Sequence, residues 1–295
     1  MAVSERHLPT FEEKTPKALK ADRVRHRVTF NPSKASPKET LRVAVPKLEE
    51  DVVLVPGSLA LVFNLTVSGH ANNFLVNNVT RALVSRMMVK LAGETLQDTN
   101  AYDVYKLFED LFLPLEKRSN MFLEGIQSED LCKIRSNADD KKTSGVHVEK
   151  KLAEVYGSKY RIPLDHEILR DHGVFYPRAL TDELVFEIKL NSPNVVVKGT
   201  DPTKLGYELT DIQLEYEAIY HKELAREVES TYINGKDFFY EHVHNYKTIS
   251  VKKATDSIIN ESINVPKRSL KGLLLLFAEP TPQAQENRNL SLTLI

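Results

Sequence analysis

Two stretches of apolar–polar alternation constrain the fold of this chain more than any other feature of its sequence. In the first, apolar side chains occupy every second position: Leu184, Phe186, Ile188 and Leu190. After a turn-rich segment they do so again: Ile212, Leu214, Tyr216, Ala218 and Tyr220. Side chains on a strand point to opposite faces with a period of two, so each stretch predicts a strand with one apolar and one charged face. Such strands, joined by turns, are typical of an antiparallel sandwich.

Further alternation indicates that strands recur along the whole chain. The additional predicted strands are 41–45, 59–67, 83–91, 160–164, 246–251, 258–265 and 273–277. Two helices are predicted in the connections, over 101–113 and 222–230, from apolar residues at helical spacing. About eight strands with helices in long crossovers favour a jelly roll over an immunoglobulin-like domain. The predicted fold is therefore all-β: an antiparallel eight-stranded jelly-roll sandwich with helices in its crossover loops.

Composition excludes some functional classes. The formal net charge is −1, which gives no overall attraction to nucleic acid or to acidic membranes. Cys132 is the single cysteine, so an intrachain disulfide is excluded and a reducing compartment is favoured. The N-terminus lacks the apolar segment of a secretory signal, and no apolar run is long enough to span a bilayer. We therefore expect a protein that is not secreted.

The N-terminal segment differs from the rest of the chain in its charge. Residues 1–38 carry nine Lys and Arg against four Asp and Glu. Residues 1–27 are polar and lack periodicity, and ordering them would cost about 1–2 kcal/mol per residue with little apolar burial in return. We expect a flexible, modestly basic arm there, with at most a weak contact to nucleic acid.

Few residues suggest catalysis or metal binding. No glycine-rich phosphate loop is present in the sequence. One cluster carries possible metal ligands, but its two histidines are six residues apart and do not repeat on one helical face: Asp165, His166, Glu167, Asp171 and His172. We interpret this cluster as a polar loop. Cys132 has no matched histidine nearby and is interpreted as a structural thiol.

A pair of histidines supports the main alternative hypothesis. His242 and His244 would lie on one face of a strand, a spacing that cupin metal sites use on a jelly roll. Lys247 stands where a carboxylate ligand is expected. We expect no metal, no cofactor and no catalytic residue, and therefore no enzyme. Two alternatives stay open: a cupin-like jelly-roll metalloenzyme using His242 and His244, and a cellular β-sandwich binding module.

Four stretches, in order, form a pattern that extends over residues 41–280: 51–59, 85–96 followed by 101–108, 207–220, and 246–273. They supply an entry strand, a hairpin with an aromatic helix, a long strand with a helix after it, and closing strands. In this order they resemble the double jelly-roll major capsid (hexon) proteins of Polinton/Maverick and adintovirus-like elements. That family has a pair close to Asn-Gly where Ala92-Gly93 stands.

The resemblance implies a structural protein that self-assembles into trimeric, pseudo-hexagonal capsomers of an icosahedral shell. Its partners would be itself and other capsid proteins, in a virion or in the host nucleus or cytoplasm. The implied domains are a flexible basic arm and lead-in (1–40), a first jelly roll (41–280), and a linker with the truncated first strand of a second jelly roll (281–295). Alternation of Leu290, Leu292 and Leu294 supports that last strand.

Overall fold

Eleven β-strands and four α-helices make up the part of the chain that the computed structural model describes, namely residues 21–69, 73–76, 79–114, 117, 121, 124, 159–170, 174–198, 201–233 and 243. The strands are β1 (Asp22–Thr29), β2 (Thr40–Ala44), β3 (Val52–Leu54), β4 (Ala60–Ser68), β5 (Phe74–Leu75), β6 (Val84–Leu91), β7 (Glu94–Asn100), β8 (Lys159–Pro163), β9 (Leu184–Leu190), β10 (Val197–Lys198) and β11 (Gly206–Tyr220). The helices are α1 (Val79–Leu83), α2 (Tyr102–Leu111), α3 (Pro193–Val196) and α4 (Lys222–Ile233).

Most of the strands belong to two sheets. Sheet A has the strand order β1-β11-β4-β8, and the short β3 also pairs with β11. Sheet B has the order β2-β9-β6-β7, while β5 and β10 form a separate pair. Every pairing in both sheets is antiparallel.

The strand order identifies the topology. Without the short β3, β5 and β10, eight strands remain. Sheet A holds the first, eighth, third and sixth of them, and sheet B holds the second, seventh, fourth and fifth. This order is that of a jelly roll, in which the strands of two Greek keys form two packed sheets. The predicted all-β, antiparallel, eight-stranded jelly roll with helices in its connections is confirmed.

The period-two alternation places the core between the two sheets. In β9, four side chains are at most 2% exposed: Leu184, Phe186, Ile188 and Leu190. They share one continuous apolar cluster with side chains of sheet A, including Leu61 and Phe63 of β4. Full burial of each such side chain contributes roughly 1.5–3 kcal/mol. The interior of the sandwich is therefore filled by hydrocarbon side chains.

A bulge lets the 15-residue β11 keep apolar side chains inward along its whole length. The register with β4 shifts between Thr210 and Gln213, and Asp211 within this bulge has a φ of 51°. Before the bulge the odd-numbered Tyr207 and Leu209 are buried, and after it the even-numbered Ile212, Leu214 and Ala218 are. One extra residue exchanges the two faces of the strand. This explains why the predicted alternation begins only at Ile212.

The first strand corrects the predicted N-terminal boundary. The sequence predicts a flexible arm over residues 1–27 and a jelly roll from residue 41, but β1 pairs with β11 along its full length from Asp22. For residues 22–27 the prediction of a flexible arm is wrong. Alternation is present in β1, but arginines separate its two valines, so little apolar periodicity is visible. Residues 1–20 lie outside the described residues.

All eight jelly-roll strands lie between Asp22 and Tyr220. The later strands predicted over 246–251, 258–265 and 273–277 lie outside the described residues, as do the predicted boundary at 280 and the 281–295 segment. The division of the chain into domains therefore stays a prediction. What the structure adds is that the eight strands of this jelly roll precede α4.

Both predicted helices are present, but α2 turns an unexpected face inward. The aromatic side chains whose helical spacing predicts this helix are only partly buried: Tyr102, Tyr105 and Phe108. Three other side chains are 3–4% exposed: Asp103, Leu107 and Asp110. The inward face of α2 therefore contains two carboxylates, which require polar partners inside the protein. None of the helices in the described part of the chain is long and apolar enough to cross a membrane.

Candidate functional site

Several residues considered as site candidates lie outside the described residues: Cys132, Asp171, His172, His242 and His244. Val243, between the two histidines, is described, and its carbonyl accepts a hydrogen bond from Thr99 Oγ1 at 2.7 Å. Thr99 belongs to β7, an edge strand of sheet B. The cupin-like use of His242 and His244 therefore stays a hypothesis, because neither histidine is among the described residues.

The cluster around His166 has a structural role. His166 is 5% exposed, and its Nδ1 accepts a hydrogen bond from the Ile168 backbone N–H at 3.2 Å, which caps a short 3-10 helix. Asp165 forms an ion pair with Arg170, with 3.0 Å between Oδ1 and Nε. Within the described part of the chain, no three His, Cys, Asp or Glu side chains are grouped so that they could hold a metal ion.

A buried ionic cluster joins α1 to α2. Arg81 is 8% exposed and lies 3.0 Å from Asp110 through Nε, and 2.8 Å from Glu124 through Nη2. Burial alone would lower the pKa of the Arg81 guanidinium, but the hydrogen bond and charge of Asp110, with the charge of Glu124, outweigh burial and raise that pKa. Thr80 also donates a hydrogen bond to the Glu124 carbonyl. We call Arg81, Asp110 and Glu124 the Arg81 cluster.

The second inward carboxylate of α2 has its own partners. Asn191 donates from Nδ2 to Asp103 Oδ2 and to the Ala82 carbonyl, each at 3.1 Å. The Asn191 carbonyl in turn accepts a hydrogen bond from the Tyr207 hydroxyl at 2.5 Å. Burial raises the pKa of Tyr207. Together with the Arg81 cluster, these bonds fix α1 and α2 against one end of the sandwich.

A charged ladder covers the outer face of β1 and β11. Arg23 and Arg25 both bind Glu217, and Arg25 Nη2 lies 2.6 Å from its carboxylate. Arg27 binds Glu215, with 3.1 Å between Nε and Oε2. The hydrogen bond from Arg25, and next that from Arg23, lower the pKa of the Glu217 carboxyl. We call these five residues the arginine ladder.

The opposite face of β1 is apolar and incompletely covered. Val24 lies opposite Ala218 and Val28 opposite Leu214, so both valines are on the core-facing side of sheet A. They are nevertheless 41% and 50% exposed, and Tyr220 beside them is 40% exposed. Sheet B therefore does not cover this edge. His26, between the valines, stacks on Tyr216 with ring centroids 5.2 Å apart.

Sequence inspection missed both polar arrangements. Arg81 and Asp110 are far apart in sequence and stand in segments whose apolar spacing suggested only a core. The arginine ladder left a visible signal, since arginines at every second position of 23–27 match glutamates at every second position of 215–217. Charge alternation of this kind can indicate cross-strand pairing as well as a solvated tail.

No protein-family model and no curated protein matches the chain. Among solved structures it is similar to VP54 of PBCV-1, from a crystal structure fitted into a cryo-EM reconstruction of the virophage Sputnik. The identity is 12% and the TM-score is 0.42, and the match covers 74% of this chain and 47% of that one. A quasi-atomic model of the PBCV-1 virus capsid gives 12% identity, a TM-score of 0.41 and the same two coverages.

The Faustovirus major capsid protein gives 10% identity, a TM-score of 0.44, and coverage of 78% of this chain and 59% of that one. The chain thus spans about half the length of the solved structures that it matches.

Proposed function

We propose that this chain is a structural capsid protein of the hexon type, which self-assembles into trimeric, pseudo-hexagonal capsomers of an icosahedral shell. The observation that carries the proposal is the eight-stranded jelly roll between Asp22 and Tyr220, whose interior is filled by apolar side chains from both sheets. A close-packed interior gives the rigid body that a shell requires and leaves edges and loops for contacts with neighbours. The sequence resemblance to hexon proteins supports the same assignment.

The long connection between β7 and β8 also supports a shell protein. It spans residues 101–158 and begins with α2. Through Asp110 and Glu124, the Arg81 cluster ties the first part of this connection to α1. A large excursion that is anchored at its base can vary on the capsomer surface without disturbing the two sheets.

The finer assignments rest on the sequence resemblance. We propose a source among Polinton/Maverick or adintovirus-like elements, partners among capsid proteins, and a location in the virion or in the host nucleus or cytoplasm. We also propose that residues 281–295 lead into a second jelly roll. Arg23, Arg25 and Arg27 pair with glutamates, so a weak contact of the arm with nucleic acid would depend on the earlier basic residues Arg6, Lys14, Lys17 and Lys20.

Assembly tests the proposal directly. We would compare the 295-residue chain with the same chain fused at its C-terminus to a second jelly-roll domain of this type, by sedimentation velocity and negative-stain electron microscopy. We expect the fusion to form discrete trimers that pack into hexagonal arrays, and the unfused chain to self-associate through the unpaired strand predicted over residues 290–295. A fusion that remains monomeric at every concentration would contradict the capsid assignment.

Metal content separates the proposal from the cupin-like alternative. If His242 and His244 hold a catalytic metal, the purified chain should contain stoichiometric zinc or iron, and the His242→Ala/His244→Ala variant should lose it. A capsid protein should show no difference between the two proteins in elemental analysis.

A further inference from the structure

The free edge of β1 is the feature that points to a binding partner. β1 is the outermost strand of sheet A and pairs only with β11 among the described strands. Seven of its eight residues are exposed. An uncovered strand edge recruits a further strand unless its side chains prevent it. The side chains on the two faces of β1 therefore determine which kind of strand can pair with this edge.

The outer face offers unused hydrogen-bond donors at regular spacing. Arg23, Arg25 and Arg27 each bind a glutamate through Nε and Nη2, and no Nη1 group has a partner among the described residues. Their side chains remain 61%, 64% and 47% exposed in spite of these bonds. Three guanidinium groups face two carboxylates, so the arginine ladder keeps one net positive charge. This face favours an acidic neighbour.

The core-facing side offers an apolar strip. Val24 and Val28 are 41% and 50% exposed, and Tyr220 extends the strip on the neighbouring strand. His26 is the only polar side chain between the two valines, and it is held against Tyr216. Small apolar side chains on this side of a neighbouring strand would stabilise its pairing with β1.

A second copy of β1 does not meet these requirements. If two copies joined their A sheets across a two-fold axis perpendicular to the sheet, their outer faces would coincide. Arginine would then stand opposite arginine, for example Arg25 opposite Arg25 and Arg23 opposite Arg27. Like charges directly opposite each other destabilise an antiparallel pair. The arginines therefore protect this edge from its own copies.

We propose that the free edge of β1 is a docking site for an extended strand of a different polypeptide, in which Asp or Glu alternates with small apolar residues. Its acidic side chains would lie about 5 Å across from the arginines, and the two sets would share the strand repeat of about 6.8 Å per two residues. Its apolar side chains would cover Val24 and Val28. The inference goes beyond the capsid assignment and does not depend on it.

Peptide binding to the full chain tests the proposal. The probe is a fluorescein-labelled peptide of the length of β1 that alternates glutamate with valine, and the matched control peptide alternates lysine with valine. In fluorescence anisotropy we expect the acidic peptide to bind roughly tenfold more tightly than the basic one, with an affinity that falls as salt rises. Absence of binding by the acidic peptide, or equal binding of both peptides, would overturn the proposal.

Three variants locate the site. Arg25→Glu should weaken acidic-peptide binding by about tenfold. Val24→Asn removes an apolar contact without adding charge. It should weaken binding as well while leaving every ion pair of the arginine ladder intact, which guards against an effect of strand detachment. Arg42→Glu, which changes an arginine of sheet B that is 61% exposed and paired with Glu183, should bind like the wild type. Unchanged binding by Val24→Asn would overturn the proposal. So would dimerisation of the wild type that Val24→Asn abolishes, because a second copy would then be the occupant of the edge.

Discussion

At Arg81, burial disfavours the charged guanidinium and the neighbouring carboxylates stabilise it. Loss of either the arginine or a carboxylate therefore leaves a buried charge without a partner, which makes this residue sensitive to substitution. Its guanidinium lies between Asp110 and Glu124 in a region where water does not compensate a lost partner. Arg81→Met would leave the Asp110 carboxylate buried without its counter-charge. We expect the free energy of unfolding to fall by about 3–5 kcal/mol, measured by urea denaturation.

A surface arginine provides the control. Arg42 is 61% exposed and its partner Glu183 is 51% exposed, so Arg42→Met should cost about 0–1 kcal/mol. Replacing Asp110 as well, in Arg81→Met/Asp110→Leu, should recover part of the loss because the uncompensated charge is gone. If Arg81→Met and Arg42→Met lowered the free energy of unfolding by the same amount, the Arg81 cluster would be shown to be solvated.

Glu217 should make the attachment of β1 dependent on pH. Its pKa is lowered by the hydrogen bonds from Arg25 and Arg23, so its contribution is fully present above the ordinary pKa of a glutamate. That contribution is lost as the pH falls through the lowered pKa, when the carboxyl takes up a proton. We expect amide protection factors of β1 to hold from neutral pH down to about pH 4.3, the ordinary glutamate value, and to drop below it in hydrogen-exchange experiments.

The Glu217→Gln variant should already show weak protection of β1 at neutral pH and a smaller further loss on acidification. Protection in the centre of β9, which lies in the other sheet and has no ionic support on its buried side, should change much less over the same range. A parallel loss in both strands would indicate global acid unfolding in place of local detachment.

At the scale of elements, the β6–β7 turn contains a residue in an unfavourable conformation. Ala92 and Gly93 connect the two strands with φ values of 53° and 82°. A two-residue turn with both φ values positive is of a type that favours Asn-Gly, because alanine pays a steric penalty in the left-handed region. Ala92→Asn should raise the free energy of unfolding by about 0.5–1 kcal/mol in thermal or urea denaturation.

The neighbouring position supplies the opposite test. A Cβ at Gly93 would meet no atom within 4 Å, so Gly93→Ala probes the backbone conformation without a clash. It should destabilise the protein by about 1 kcal/mol. If both substitutions change stability in the same direction, the turn does not have these φ values in solution.

The sequence predicts an element well where one face is uniformly apolar. The orientation of strands β4 and β9 follows from apolar spacing, because burial alone determines it, and the same spacing predicts where both long helices lie along the chain. The strand β1 and the inward face of α2 do not follow from it, since their partners are charged and lie far away in sequence. The same limit hid the Arg81 cluster and the arginine ladder, whose partners are known only once the topology is known.

At the scale of the whole molecule, the described jelly roll should be an independent folding unit. Its eight strands lie between Asp22 and Tyr220, and α4 covers a small apolar cluster with Val53, Tyr176, Ala225 and Val228. We expect a chain limited to residues 21–233 to unfold in a single cooperative transition. Its far-UV circular dichroism per strand residue should equal that of the 295-residue chain. The alternative boundary at residue 280 predicts instead that this shorter chain fails to fold, because strands after Tyr220 would be required.

The register between β1 and β11 has a consequence for how this unit can be joined to others. Asp22 and Tyr220 are direct partners across the two strands, so the chain enters and leaves the jelly roll at the same point, with Cα atoms about 5 Å apart. A module with adjacent ends can be inserted into a loop of another protein, permuted circularly, or duplicated in tandem without strain on its sheets. The geometry of one strand pair thus makes the unit readily transferable between genes.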